Sequence, residues 1–331
     1  GRLLRFELPF IMICAIRRPE IKAVVFLFTD RRSKMTIGLV YKKPIVFVRA
    51  TTLLVLGFLF FALLTLASFG ETEASRQPPE ALRSLIPNPD FRAGEDLPAG
   101  WKFSSEPARW LDRDILEIEG RGQGSSYWFT NVTLKPGALY LFRMVARSLG
   151  ASGGCVVTGP APVNHDYQLS EAWKEYSHVF RMTDGVTQEI PLRLGQWELS
   201  GRVQFDKLEL VPALPIHTRM GNCVMGDGET IQNGIYSFEG TFDGTGTNYH
   251  RVLQRATVGF NTNRWTFSEG QEVVYKFELP ETSFLSGQLG FVVNYATGGT
   301  ILAEVSRDDQ SWIEAARQDG VGAQNVELSS K

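Results

Sequence analysis

An all-β chain is predicted: two tandem jelly-roll β-sandwiches after an N-terminal transmembrane helix. Three observations predict it. From Leu85 onward, apolar residues fall in short β-branched or aromatic segments separated by Gly, Pro, Asn and Asp clusters, without helical periodicity. The Pro-bearing stretch Val211-Pro212-Ala213-Leu214-Pro215 divides these segments into two groups of about 110–130 residues, an ordinary sandwich size. Before them lies an uncharged run of 20 residues, Ala50–Phe69, long enough to cross a bilayer core as a helix.

Taken in order, residues 1–49 read as a cytoplasmic or mistranslated segment. Two apolar stretches in it, Leu8–Ile16 and Ala23–Phe28, are too short to span, and Met35 opens a basic stretch typical of a natural start. The run 50–69 is preceded by Lys42, Lys43 and Arg49 and followed by Glu71 and Glu73, which places the later chain outside the cytosol. It reads as a signal anchor, giving a membrane-anchored protein. Cleavage at Thr65-Leu66-Ala67 or Ser68-Phe69-Gly70 would release the same chain as a secreted one. Residues 70–84 form a polar linker.

The first sandwich is placed at 85–212, with strands at 115–118, 126–133, 138–147, 155–158, 176–182, 189–194 and 202–210. Leu134-Lys135-Pro136-Gly137 is a turn. Alternation slips at Asp206–Lys207, which predicts a bulge. The second is placed at 220–331, with strands at 234–238, 251–259, 265–267, 271–279, 287–294, 301–306 and 312–316 and no terminal element.

Charge narrows the partners. Residues 1–70 hold 11 Lys+Arg against 3 Asp+Glu, a net of +8; the remaining 23 and 33 leave −10 on residues 71–331. An acidic exported portion argues against nucleic acid. Cys155 and Cys223 either pair or remain separate thiols, and their spacing has no zinc character. The histidines His165, His178, His217 and His250 form no HxH or HExxH, and there is no GxSxG or phosphate loop. Asp243, in a Gly-rich loop, reads as a turn residue with a metal role as the alternative.

Three segments carry a resemblance. They are Ile86-Pro87-Asn88-Pro89-Asp90-Phe91 with Pro98-Ala99-Gly100-Trp101, Trp173-Lys174-Glu175-Tyr176-Ser177-His178-Val179-Phe180, and Gly201–Leu210 (GRVQFDKLEL). In this order they resemble the galactose-binding-like β-sandwich carbohydrate-binding modules of xylan- and glucan-binding type. Ala303–Trp312 (AEVSRDDQSW) more weakly resembles a discoidin-like sandwich, with Asp309 where that family has Gly. The resemblance implies a polysaccharide or glycan partner gripped by aromatic rings. Trp110, Tyr127 and Trp128 are the named binding residues, with Trp197 a further aromatic candidate. Tyr127 and Trp128, being adjacent in a strand, face opposite ways. Trp101 and Trp173 fall at the family's structural positions and are expected in the core. The resemblance also implies a structural calcium, for which Asp90 and Asp206 are the candidates. The function expected is that of a membrane-tethered, extracytoplasmic, non-catalytic carbohydrate-binding protein. The alternatives are a cell-surface interaction sandwich and the accessory region of a larger polysaccharide-degrading enzyme.

Overall fold

Strict alternation in the strand Ser125–Thr133 shows how the first sandwich is made. Ser126, Trp128, Thr130 and Val132 are buried, while Ser125, Tyr127, Phe129 and Asn131 face the other way and keep solvent contact. The computed structural model describes residues 83–329 apart from 106, 187–188, 234, 241, 243–245 and 280–285, together with the backbone of three strands at 10–15, 25–26 and 35–40. The apolar run 50–69, the linker as far as residue 82 and Asp243 lie outside the described residues. Among the described residues no helix is long and apolar enough to cross a membrane.

Among the described residues the chain is all-β, with one helical element, the 3-10 turn Ala161–Val163. One five-stranded antiparallel sheet runs, in spatial order, His165–Tyr167, Cys155–Pro160, Glu189–Trp197, Ser125–Thr133, Lys102–Phe103. The other runs Lys174–Arg181, Leu139–Ser152, Ser200–Pro212, Ile115–Arg121, Ala108–Leu111. Their inner faces bury Trp128, Leu192, Leu194, Phe142, Met144, Val203 and Phe205. Each side chain of this size contributes roughly 1.5–3 kcal/mol on burial.

The predicted punctuation is present. Gly137 takes φ +70° in the turn, where the amide of Ala138 bonds the carbonyl of Lys135 at 3.2 Å. At Asp206–Lys207 the register against Leu139–Ser152 shifts between Phe205 and Leu208, which is the bulge. The opening motif is a tied knot. Phe91 and Trp101 are buried edge to face at 5.2 Å, and the Trp101 indole donates to the carbonyls of Pro87 and Asn88. Trp173 departs from its expected core place. It is 36% exposed and lies under the Arg147 guanidinium at 4.6 Å, because its position opens the strand on the outer side of the sheet.

The second sandwich is not built from residues 220–331 alone. Phe10–Ala15 pairs between Glu272–Phe277 and Thr300–Ser306, in the sheet completed by Leu253–Ala256 and Ile313–Asp319. Met35–Val40 pairs between Ile235–Gly240 and Ser286–Val293, in the sheet completed by Glu229–Gln232 and Gly322–Ser329. Val25–Phe26 adds to the small sheet of Gly259–Asn261 and Arg264–Phe267. The segment that composition set aside therefore supplies the central strand of both sheets. The C-terminal stretch, expected to be plain, is an edge strand.

The two sandwiches are joined through backbone groups. Asn248 accepts from the Arg181 amide and donates to its carbonyl, both at 2.7 Å. The Asp184 amide donates to the Ala256 carbonyl, and the Ala256 amide returns a bond to the Asp184 carboxylate, again at 2.7 Å. The Asp166 amide donates to Thr262 Oγ1 at 2.9 Å, and the Thr262 amide donates to the Asn164 carbonyl at 3.0 Å.

Candidate functional site: a cleft on the outer face of one sheet

A cleft of about 330 Å³ lies on the outer face of the sheet that contains Ser125–Thr133. Register builds its floor. Tyr127 pairs with Gly195 and Gly195 with Val157, while Ser125 pairs with Trp197. Residues at the same strand parity share a face, so Tyr127 and Trp197 stand as diagonal neighbours on adjacent strands. Gly195 between them is required by packing: a β-carbon there would collide with Tyr127 Cβ and the Ser126 carbonyl. The missing side chain leaves the groove open between the two rings. Trp197 is 51% exposed, so its ring keeps a solvent-facing surface.

The polar groups come from both sandwiches. Arg193 stands two residues along from Gly195 and holds its guanidinium 5.5 Å from the Tyr127 ring, with one nitrogen donating to the Ala161 carbonyl at 3.0 Å. Asn164 and Asp166 rise from the edge beside Cys155–Pro160, and Asn261 and Arg264 reach in from the hairpin of the second sandwich. Burial pushes the Asp166 carboxyl upward, against the pull of Thr262 and Arg264. Burial also lowers both guanidiniums, with Tyr127 opposing this at Arg193 and Asp166 opposing it at Arg264.

Against this geometry the expected site residues separate. Tyr127 lines the cleft. Trp128 does not: it is fully buried, donates its indole N–H to the Glu117 carbonyl at 2.9 Å and meets Phe103 edge to face, so it is core. Trp110 sits on the edge strand of the opposite sheet, half-buried, with Arg113 at 5.1 Å from its ring, and is not part of the cleft. Alternation could separate Tyr127 from Trp128. It could not say which strand of which sheet would lie beside Tyr127. Arg193, Asp166, Asn164, Asn261 and Arg264 carry no local motif and are brought together only by pairing and by the junction of the two sandwiches.

The calcium candidates Asp90 and Asp206 lie in the opening segment and at the bulge of the first sandwich. Among the described residues no group of three or more His, Cys, Asp or Glu could hold a metal. Oxygens near Asp90 and Asp206 already serve N–H donors. The Pro89 carbonyl accepts from Leu208, the Asn88 carbonyl from Phe91, and Asp206 Oδ1 from the Lys207 amide.

Cys155 and Cys223 are both free thiols. Burial and the neighbouring Asp166 push Cys155 up to about 12, away from thiolate reactivity. The scattered histidines are partly reunited inside the sandwich. His165 and His178 stack at 4.8 Å, and the Tyr167 hydroxyl bonds His178 Nδ1 at 2.7 Å.

No family model and no curated protein sequence matches this chain. Among solved structures it is similar to a carbohydrate-binding module described as "CBM4 structure and function", at 14% identity and TM-score 0.32, covering 39% of this chain and 99% of that one. It is similar to the second N-terminal cellulose-binding domain of Cellulomonas fimi β-1,4-glucanase C, at 12% identity and TM-score 0.31, covering 41% and 98%. It is also similar to the N-terminal CBM22-1–CBM22-2 tandem domain of Paenibacillus barcinonensis Xyn10C, at 12% identity and TM-score 0.33, covering 76% and 85%. These relatives are carbohydrate-binding modules.

Proposed function

We propose that the chain is a non-catalytic carbohydrate-binding protein whose first sandwich holds a polysaccharide segment in the cleft of Tyr127 and Trp197. The single observation that carries this is the pair of rings flanking a Gly floor on an open sheet face. Flat rings cover the apolar face of a sugar, and the amides and charged groups at the rim meet its hydroxyls. The three-segment resemblance in residues 85–212 supports the same reading. A glycosidase flanks the scissile bond with two carboxylates. Among the described residues the cleft lining offers one, Asp166.

The test is a glycan-array and polysaccharide affinity-gel screen of the full chain. Retention that drops at least tenfold in Tyr127→Ala and Trp197→Ala, without new reducing ends or unsaturated products on long incubation, is the expected result. A folded protein that retains no glycan would sink the reading.

The charge bias around residues 50–69 supports a membrane tether with both sandwiches outside the cytosol. The pairing of residues 10–15 and 35–40 within the second sandwich favours a second reading. A strand shares the compartment of its sheet neighbours, so residues 10–15 and 35–40 then lie on the same side as the second sandwich. Protease accessibility of residues 17–34 in intact cells separates the two.

A further inference from the structure

The cleft is walled unequally. One row of its floor runs across four strands, with Tyr127 beside Gly195, Gly195 beside Val157 and Val157 beside Asp166. At the Asp166 end the free edge of His165–Tyr167 is occupied by the tip of the second sandwich's hairpin. The Asp166 amide donates to Thr262 Oγ1 at 2.9 Å and the Thr262 amide to the Asn164 carbonyl at 3.0 Å. Asn261 and Arg264, on either side of that tip, line the cleft. At the opposite end the neighbour of Tyr127 is Ser104, which is exposed, and Trp197 on the adjoining row is exposed as well.

A second wall stands at Arg193. Its guanidinium reaches past Gly159, its partner on the next strand, to the carbonyl of Ala161 in the 3-10 turn at 3.0 Å. The Asn164 side-chain amide donates to the same carbonyl at 3.3 Å, so the two side chains meet there. Each keeps one polar atom unspent. Arg193 Nε, a donor, and Asn164 Oδ1, an acceptor, are both buried without a protein hydrogen-bond partner. Such groups are costly unless a bound molecule answers them. A hydroxyl answers both kinds, because it donates through its hydrogen and accepts through its lone pairs.

We infer that the cleft takes the end of a glycan chain. The terminal sugar places its hydroxyls in the closed corner of Arg193, Asn164, Asp166 and Asn261, and the chain leaves between the rings of Tyr127 and Trp197. The inference rests on the proposed sugar-binding reading of the cleft. An internal segment needs two exits, and among the described residues the side toward the two rings is the one without a wall. From the strand of Tyr127 to that of Asp166 is three strand spacings, about 14 Å. The cleft volume of about 330 Å³ lies at the small end of the roughly 300–1,000 Å³ of small-molecule sites. Both dimensions suit a short terminus. The hairpin lent by the second sandwich thus decides the kind of ligand, a chain end in place of a chain interior.

The test is calorimetric titration of the full chain with linear cello-, xylo-, laminari- and manno-oligosaccharides of one to six units, and with the matching polymers before and after limited endo-hydrolysis. Any other glycan retained in the affinity screen is treated in the same way. For the glycan that binds, affinity should come within about twofold of its maximum by three units, and sites per gram of polymer should rise in proportion to the new chain ends. Arg193→Gln and Asn164→Ala should each weaken the trisaccharide about fivefold or more. Affinity that climbs at least tenfold between three and six units, with sites per gram unchanged by cleavage, would overturn the chain-end assignment and leave an open sugar cleft. Binding of no oligosaccharide and no polymer would overturn the sugar-binding reading itself. The length series and the cleaved polymers need only the unmodified protein, so a misfolded variant does not blunt the test.

Discussion

Two tryptophans on neighbouring strands of one sheet have opposite fates here. Trp197→Ala removes a half-exposed ring and should alter stability by no more than about 0.5 kcal/mol while costing at least tenfold in glycan retention. Trp128→Ala empties a fully buried site and should cost about 3–5 kcal/mol, read as a fall in the denaturant midpoint. Buried histidines give a second residue-scale expectation. Burial lowers His165 and His250 from 6.5 to about 4, and burial with the neighbouring His165 lowers His178 well below its usual value. Between about 6.5 and about 4 the unfolded chain takes up protons that these folded imidazoles refuse. Stability is therefore full above 6.5 and declines as pH falls through that window. A melting temperature that holds constant from pH 7 to pH 5 would contradict this.

At the scale of elements, the central strands of the second sandwich come from the far end of the chain. A protein beginning at Ser84 lacks Phe10–Ala15 and Met35–Val40, so each of its sheets is split into unpaired halves. The first sandwich should keep its cooperative unfolding and its amide protection, while amides of Glu272–Phe277 and Ser286–Val293 exchange rapidly. Full protection of those strands in the shortened chain would show that the N-terminal strands are dispensable and would favour the membrane-crossing arrangement. The bulge and the opening knot make a second element-level case. A chelator that lowers the melting temperature by several degrees would establish a calcium site involving Asp90 or Asp206, and an unchanged melting temperature would exclude one.

For the molecule as a whole, the junction between sandwiches is the vulnerable point. Asn248 is 2% exposed and satisfies both backbone groups of Arg181. Asn248→Ala leaves those groups buried and unpaired, at about 1–3 kcal/mol. It should also weaken ligand binding without touching the cleft, because Arg264 and Asn261 approach from across the same junction. Calorimetry would show one transition becoming two. A single unshifted transition with unaltered binding would mean that the sandwiches do not depend on this contact.

The short strands His165–Tyr167, Thr218–Met220, Cys223–Met225 and Glu229–Gln232 were not legible in the sequence, whereas the all-β class, most of the longer strands between residues 115 and 306, the turn at Gly137 and the bulge at Asp206–Lys207 were. Each is a local consequence of side-chain alternation, β-branching and turn residues. Tyr127 was legible as a candidate because ring chemistry is visible in one residue, and its opposition to Trp128 follows from strand parity. The tertiary structure alone decided that Gly195 clears the floor beside Tyr127, that Trp110 belongs to the other sheet, and that Arg193 and Arg264 face one cleft from two sandwiches. It also decided that residues 10–15 and 35–40 are central strands, a role hidden because a short apolar run does not name its pairing partners. Local periodicity specifies which face a residue takes, whereas pairing between distant segments specifies what that face meets.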